Sequence, residues 1–445
     1  MTKDMTQGSP LKLLLAFAVP LMLGSLFQQF YNLADTIIVG RFVGVEALAA
    51  VGSVGGLNYL VLGFVNGIAC GFSIPISWTF GAHDHHEMRR YTANTVWLSI
   101  AFATVLTIVT VAMTHLVLVW TNTPADIIDL ADIYIRTIFA GIPFTLLYNV
   151  TSALMRALGD SKRPLYFLLV ASVLNIGLDY LLIVSMGMGV DGAAIATVLS
   201  QLLSGGLCAF WFFTRTAKQE ELTFRGQSSL LSAGHCKRLA YIGFPMGFEY
   251  SVSAIGAVIM QDAINLLGST AVAAQTAGEK IRQMFTLPME SVGMAMATYV
   301  GQNHGAHRTD RIQQGIQDGC TIQLTYCVAA WVVIFFVKPY AVGLVLGDAD
   351  PAVTAGAIQY LAIMSLLFCF HGLLMIFRNT LQGLGYSVQA IISGVGELIG
   401  RSLGGLLAVK TGLGYVGICL SNPFAWGLAM LYCMFMVRRM LKRED

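Results

Sequence analysis

Long apolar segments recur along the whole of this 445-residue chain, and they constrain its fold more than any other feature. A helix needs about 20 apolar residues to cross the hydrocarbon core of a bilayer. Only 11% of the residues are charged, whereas soluble domains carry about 25%. The sequence therefore predicts an all-α integral membrane protein with twelve transmembrane helices. The predicted spans are 11–39, 46–80, 92–121, 130–157, 164–186, 191–214, 239–266, 271–301, 313–346, 353–381, 386–410 and 413–437.

The basic residues sort into alternate connections, and this predicts the orientation of the chain. Lys and Arg gather near both ends and in every second connection, whereas the other connections hold little more than Arg41 and Lys410. Because cytoplasmic loops carry the excess of Lys and Arg, both termini are expected in the cytoplasm. The short loops favour a bacterial inner membrane.

The second half of the sequence repeats the first. Five pairs of short motifs match in order at offsets of 224–226 residues, and one pair places Pro20 opposite Pro245 as candidate bends. Each half holds six spans, so the halves share one topology and form parallel repeats related by a pseudo-two-fold axis. The predicted organisation is an N-terminal lobe (1–214), a cytoplasmic linker (215–238) and a C-terminal lobe (239–445). A substrate path between the lobes would give alternating access.

Polar side chains in three spans of the first lobe form the candidate site. Asp35 lies in the outer part of the first span, Asn175 and Asp179 share one face of the fifth, and Thr197 lies early in the sixth. A charged Asp at the centre of a membrane helix costs about 2.5–3.5 kcal/mol on insertion scales, so these groups need a reason to be there. Two carboxylates, an amide and a hydroxyl suit a proton or a hard cation such as sodium. The alternative role is hydrogen bonding between helices.

The second lobe does not copy this set, because the repeat places Met260 near the position of Asp35. Its polar residues include Glu249, His371 and Arg378, for which a transport role and a structural role both stay open. Two further pairs have the spacing of internal ion pairs on a helix: Glu279 with Arg282, and Glu397 with Arg401.

Several classes of protein are disfavoured by missing motifs. The sequence has no GxxxxGK[ST] phosphate loop, so ATP is not expected to power the chain directly. It has no His/Cys cluster typical of a haem or zinc enzyme, and we expect neither a cofactor, a resident metal, a catalytic activity nor a nucleic-acid partner. The loop residues His83, His85 and His86 are expected to be solvated rather than to bind metal.

Over essentially its whole length the chain resembles the multidrug and toxic compound extrusion (MATE) family. The resemblance rests on "YNLADTIIVGRFVGVEALAAVG", "MRALGDS", "LNIGLDYLLI", "GVDGAAIAT" and the repeated half from "GFPMG" onward. It implies a two-lobed monomer that exports cationic or amphipathic compounds in exchange for protons or sodium. It also implies a first-lobe cation site, and the matching positions here are Asp35, Asn175, Asp179 and Thr197, with Tyr134 and Asn149 as further polar positions.

In some members of that family a second-lobe cation site uses acids in the seventh and tenth spans. Glu249 fits the first position, whereas His371 departs from the second. The main alternative function is a flippase for lipid-linked cell-wall or polysaccharide precursors, which is expected to line its path with Arg and Lys. A membrane-embedded receptor is a third possibility, which the internal repeat disfavours. The sequence names neither the substrate nor the coupling ion.

Overall fold

The computed structural model describes residues 2–121, 123–219, 231–347, 350–410 and 412–444, and within these ranges the chain is helical with no β-strand. The predicted linker, 215–238, lies partly outside the described residues. The helices are α1 (Pro10–Phe42), α2 (Val45–Ser53), α3 (Gly55–Gly81), α4 (His85–Trp120), α5 (Ile128–Ala140), α6 (Ile142–Ala157), α7 (Lys162–Asp179), α8 (Val190–Trp211), α9 (Ala217–Gln219), α10 (Ala233–Asn265), α11 (Ser269–Gly305), α12 (Thr309–Leu346), α13 (Pro351–Leu366), α14 (Phe368–Gly383), α15 (Ser387–Lys410) and α16 (Gly414–Glu444). Two π-helices, Tyr180–Ser185 and Phe212–Thr216, continue α7 and α8.

The helices account for all twelve predicted spans. Among the described residues, eight helices are long and apolar enough to cross a membrane, or ten spans if each of two bent helix pairs counts as one. The helices α10 and α11, with 33 and 37 residues, are long enough to span as well but carry more polar side chains. The span predicted at 46–80 is divided into α2 and α3 at Val54, within a glycine-rich stretch of low helix propensity.

The two bent pairs occupy corresponding places in the two halves. The axes of α5 and α6 differ by 44°, and those of α13 and α14 by 49°. The first bend has a local cause, because Pro143 in the first turn of α6 has no N–H to donate to the preceding turn. The second bend, at Leu367, has no proline, and nothing in the local sequence explains it.

The connections between helices confirm the internal repeat. A positive φ is rare for residues with a side chain, and His83 and His307 both have φ 55°. Glycines with positive φ recur in the same way, at offsets of 224–226 residues: Gly44 with Gly268, Gly159 with Gly385, Gly187 with Gly412, and Gly189 with Gly414. The repeat read from short motifs is therefore a repeat of helix ends and loop geometry.

The chain forms two compact units. Unit 1 is Met1–Asp4 with Pro20–Gly247, and unit 2 is Met5–Val19 with Phe248–Asp445. The divisions fall inside α1 and α10, the helices that contain Pro20 and Pro245. The lobe limits drawn at 214 and 239, and the role of both prolines as bends, stay predictions.

Unit 1 has a core of buried aliphatic and aromatic side chains, among them Phe139 and Phe212. Glycines allow α3 to approach the first half of α10 at backbone distance. A Cβ added to Gly67 would lie 2.5 Å from Met246 O and 2.7 Å from Gly247 Cα. Small residues at helix contacts are the usual means of close packing within membranes.

Candidate functional site

Unit 1 brings the two predicted acids together. Asp35 of α1 and Asp179 of α7 lie close enough to interact electrostatically, and the same neighbourhood includes Tyr31 and Tyr134. Asp179 is 0% exposed, and neither of its carboxylate oxygens has a hydrogen-bond partner in the described part of the chain. The Oδ1 atom of Asp35 is likewise buried without a partner there. These acids therefore lack the compensation that buried carboxylates normally have.

A small cavity places the other two predicted residues beside Tyr31. Its volume is about 10 Å³, which is enough for about one water molecule or one bare cation. Neither the Oδ1 nor the Nδ2 atom of Asn175 is hydrogen-bonded among the described residues. Thr197 Oγ1 donates to Ala193 O at 3.0 Å, which leaves its oxygen lone pairs free to accept or to bind a cation. The cavity is also lined by Leu168, Ala171, Ser172, Ser200, Gln201 and Ser204.

The helix geometry around Asp179 is unusual. Asp179 is the last residue of α7, and the π-helix Tyr180–Ser185 begins directly after it. π-helical turns are rare, and they occur frequently at functional sites. Asn175 and Asp179, four residues apart, lie on the face of α7 just before this widened segment.

Three polar residues around the acids were not predicted, although helical spacing could have indicated them. Tyr31 lies four residues before Asp35, Ser172 three before Asn175, and Gln201 four after Thr197. Gln201 Oε1 is buried without a hydrogen-bond partner in the described ranges, as are the oxygens of Asp179.

The two further polar residues of the first lobe differ in position. Tyr134 is 7% exposed and lies in the neighbourhood of the two acids. Asn149 of α6 is half-buried and does not line the small cavity. A role for either residue in ion binding stays a prediction.

The buried acids Glu249 and Glu397 of unit 2 differ from Asp35 and Asp179, because each has an ion-pair partner. Glu249 Oε1 lies 3.4 Å from Arg378 Nη1, and Gln382 Nε2 donates to Glu249 Oε2 at 2.8 Å. Arg378 Nη2 also pairs with Glu397 Oε1, and Arg401 Nη2 donates to Glu397 Oε2 at 2.8 Å. Two carboxylates and two guanidiniums balance in charge, so Glu249 already has a cationic partner within unit 2.

The remaining second-lobe candidates, His371 and Met260, differ in their surroundings. The His371 ring is 4.7 Å from the Trp426 ring, and neither of its nitrogens has a hydrogen-bond partner among the described residues. Met260 packs in a small cluster with Ile264, Ala408 and Ile418. The repeat therefore exchanges an acid in unit 1 for an apolar packing residue in unit 2.

The loop histidines lie where α3 ends and α4 begins. His83 adopts φ 55° at the end of α3, and Asp84 Oδ1 accepts from Glu87 N at 3.0 Å to cap α4. Within the described ranges no group of three or more His, Cys, Asp or Glu side chains has the arrangement of a metal site.

A helical membrane fold built from two repeats, with buried acids in its spans, defines a polytopic membrane transporter. The family model described as MatE matches residues 20–181 and again residues 245–403, so this chain belongs to the MatE family of multidrug and toxic compound extrusion transporters. The matches begin at residues 20 and 245, an offset of 225, which confirms the repeat independently. The family consists of transporters and is not an enzyme class.

Curated relatives and solved structures agree with this assignment. The probable multidrug resistance protein YoeA of Bacillus subtilis is 26% identical over 426 residues, covering 93% of this chain and 90% of the relative. The probable multidrug resistance protein YpnP of Bacillus subtilis is 28% identical, covering 87% and 86%. An outward-facing multidrug resistance MATE transporter of the MOP superfamily has a TM-score of 0.92 at 22% identity, covering 100% of this chain and 98% of that one. The last likeness concerns the fold, and it confirms the predicted twelve-helix, two-lobed architecture.

Proposed function

We propose that this protein is a secondary antiporter that exports cationic or amphipathic compounds in exchange for protons or sodium ions, by alternating access. The observation that supports this most strongly is the contrast between the units. The acids within the helices α1 and α7 of unit 1, Asp35 and Asp179, have no ion-pair partner in the described part of the chain, whereas the helical acids Glu249 and Glu397 of unit 2 are paired.

A bound proton or sodium ion would supply the missing partner in unit 1. An uncompensated buried carboxylate is costly, and the cost falls when the group is protonated or coordinates a cation. The oxygens of Asp35, Asp179, Asn175 and Thr197 are of the type that hard cations prefer. The adjoining cavity is large enough for one small ion and too small for an exported compound.

Exchange follows if binding of the ion lowers the affinity for the exported compound and binding of the compound lowers the affinity for the ion. In the outward-open state an ion binds Asp35 or Asp179, and the exported compound leaves. In the inward-open state the ion dissociates, and the freed carboxylates favour cationic cargo, a coupling that must be reciprocal. Exchange of one ion for one monovalent cation moves no net charge, so one pH unit supplies about 1.4 kcal/mol. A second ion per cycle adds about 2.3 kcal/mol per 100 mV.

A flippase for lipid-linked precursors is the second candidate. Such a protein handles anionic head groups, which an acidic neighbourhood of Asp35 and Asp179 would repel. The relatives named as multidrug resistance proteins also favour export of small molecules. We place the transporter in a bacterial inner membrane as a monomer, with both termini in the cytoplasm.

The test is transport of ethidium in proteoliposomes under an imposed pH gradient or an imposed sodium gradient. Wild type should respond to one of the two gradients, and that gradient identifies the ion. Asp35→Asn and Asp179→Asn should each lose the response. The matched control is Asp84→Asn, which changes a solvent-exposed carboxylate of unit 1 to a residue that caps a helix equally well. Normal transport by Asp35→Asn and Asp179→Asn would contradict the proposal, as would ethidium movement that ignores both gradients.

A further inference from the structure

One helix of unit 2 has an exposed face of a chemistry unsuited to lipid. Between residue 271 and the end of α11, five side chains are exposed, of which four are polar and one is a methionine. They are Thr276, Lys280, Gln283, Met284 and Glu290. Thr276, Lys280, Gln283 and Glu290 follow at intervals of four, three and seven residues, which places them on one side of the helix. We call this face the α11 polar stripe.

The neighbouring helix shows what a lipid-facing surface of the same unit looks like. Between residues 324 and 337 of α12, the large exposed side chains are apolar, including Val328 at 61%, Phe335 at 55% and Phe336 at 66%. Lipid tails offer no hydrogen bonds, so an exposed polar face within a span belongs on a water-filled path. The contrast assigns the α11 polar stripe to the path of the transported compound.

Glu290 is the member of the stripe that most needs an explanation. The midpoint of the 37-residue helix is Leu287, and Glu290 lies three residues beyond it. At about 1.5 Å per residue, Glu290 is therefore close to the middle of the span. A glutamate at this depth is too short to reach the interface, whereas the long stem of Lys280 can place its ammonium nearer the outer end.

The carboxylate of Glu290 is also without a bonding partner in the described part of the chain. Among the described residues its carboxylate has no hydrogen bond and no ion pair, and the charge that reaches it is that of Arg282. This distinguishes Glu290 from Glu279 on the same helix, which accepts from Tyr360 Oη at 3.2 Å and from Gln275 Nε2 at 3.3 Å.

We propose that Glu290 is the unit 2 residue that contacts the positive group of the exported compound, while Met294, half-buried and four residues further along the same helix face, contacts its apolar body. A carboxylate on a wet face attracts an organic cation, and thioether side chains repack around varied apolar shapes. The inference rests on the proposed function and adds a cargo-binding residue separate from the ion site at Asp35 and Asp179.

The test measures equilibrium binding to the purified full-length protein in lipid nanodiscs. The probes are tetraphenylphosphonium, a permanent cation, and N-phenyl-1-naphthylamine, a neutral amphiphile. Glu290→Gln should raise the Kd for the cation by about 5- to 20-fold, because one partly screened charge contact is lost. Its Kd for the neutral probe should stay unchanged, and Glu290→Asp should restore part of the affinity for the cation. The matched control is Asp310→Asn, an exposed carboxylate of the same unit outside the stripe.

The possible outcomes separate this inference from the proposed function. Equal affinity of Glu290→Gln and wild type for tetraphenylphosphonium overturns it, as does an equal loss for both probes or a wild type that binds no tetraphenylphosphonium. Ethidium transport by Glu290→Gln should need a higher ethidium concentration but keep its dependence on the ion gradient, whereas Asp35→Asn should lose that dependence. Wild-type transport that ignores both gradients refutes antiport while leaving the binding result for Glu290 to be judged by itself.

Discussion

Asp179 and Glu397 are both buried carboxylates in membrane-spanning helices, but their surroundings differ. Asp179 has no hydrogen-bond partner in the described part of the chain, whereas Glu397 is held between Arg378 and Arg401. The charge of Asp179 is uncompensated and an ion can compensate it, whereas the charge of Glu397 is already compensated by its two arginine partners. A carboxylate therefore has opposite effects on stability at the two positions.

Glu397→Gln should destabilise the protein strongly. The change leaves the buried guanidinium of Arg378 and the half-buried one of Arg401 without their shared carboxylate, and breaking a buried pair in this way costs about 3–5 kcal/mol. Thermal unfolding in detergent measures the effect. Asp179→Asn is the comparison, and it should unfold at or above the wild-type temperature because it removes an uncompensated charge. A larger loss of stability in Asp179→Asn than in Glu397→Gln would contradict this reading of the two sites.

His371→Phe should keep or raise stability. The ring packs against Trp426 at an interplanar angle of 48°, and phenylalanine preserves that contact while removing two buried nitrogens that have no partner in the described ranges. Each unsatisfied buried polar atom costs about 1–3 kcal/mol, so the midpoint of thermal unfolding should not fall. Ethidium transport is measured in parallel, and a variant that is stable but inactive would show that the imidazole itself acts in transport.

At the scale of elements, backbone contact between α3 and α10 depends on the absence of side chains. Gly67→Ala should destabilise unit 1 by about 1–3 kcal/mol, because its Cβ would meet Met246 O at 2.5 Å. Gly206→Ala, in α8, is the matched control, since a Cβ there meets nothing within 4 Å. Alanine is favoured over glycine inside a helix by about 1 kcal/mol, so the control should be neutral or stabilising. Equal unfolding temperatures for both variants would show that the α3–α10 contact is looser than described.

Element positions were largely predictable from the sequence, and element shapes were not. Hydropathy located twelve spans because a bilayer requires long apolar segments. The bend at Leu367 and the π-helix after Asp179 arise from packing, and no pattern within a run of apolar residues indicates either feature. The bend near Pro143 had a signal, since proline removes a backbone donor.

At the scale of the whole molecule, the two halves share a topology and differ in chemistry. The positions with positive φ recur from one half to the other, but Asp35 is replaced by Met260 in an apolar cluster. The repeat is therefore one of backbone geometry and not of side-chain chemistry. We expect ion coupling from unit 1 and charge recognition of cargo from unit 2.

Orientation in the membrane can be tested by labelling single cysteines in a cysteine-free background. Cysteines replacing Asp84 and Arg308 should be protected from an impermeant maleimide in spheroplasts, because the positive-inside rule places both loops in the cytoplasm. Cysteines replacing Asp126 and Asp350 should react. The reverse pattern would invert the topology and with it the direction proposed for transport.

The ion site was predictable in part. Asp35 and Asp179 stand out because carboxylates in apolar spans are expensive, and the structure places them in one neighbourhood. Tyr31 and Gln201 were not predicted, since such residues are common at helix surfaces and only the packing shows which groups they adjoin. The pairing of Glu249 with Arg378 was also not predictable from the sequence, because it joins residues far apart in the chain.

The most direct test of the central claim is the linkage between ion and cargo binding. Ethidium affinity is measured on purified protein across a range of pH and of sodium concentration, for wild type and for the double variant Asp35→Asn, Asp179→Asn. We predict that wild-type affinity falls as the coupling ion becomes more abundant, and that the double variant binds ethidium with an affinity independent of both ions. An unchanged ion dependence in the double variant would show that coupling resides elsewhere in the molecule.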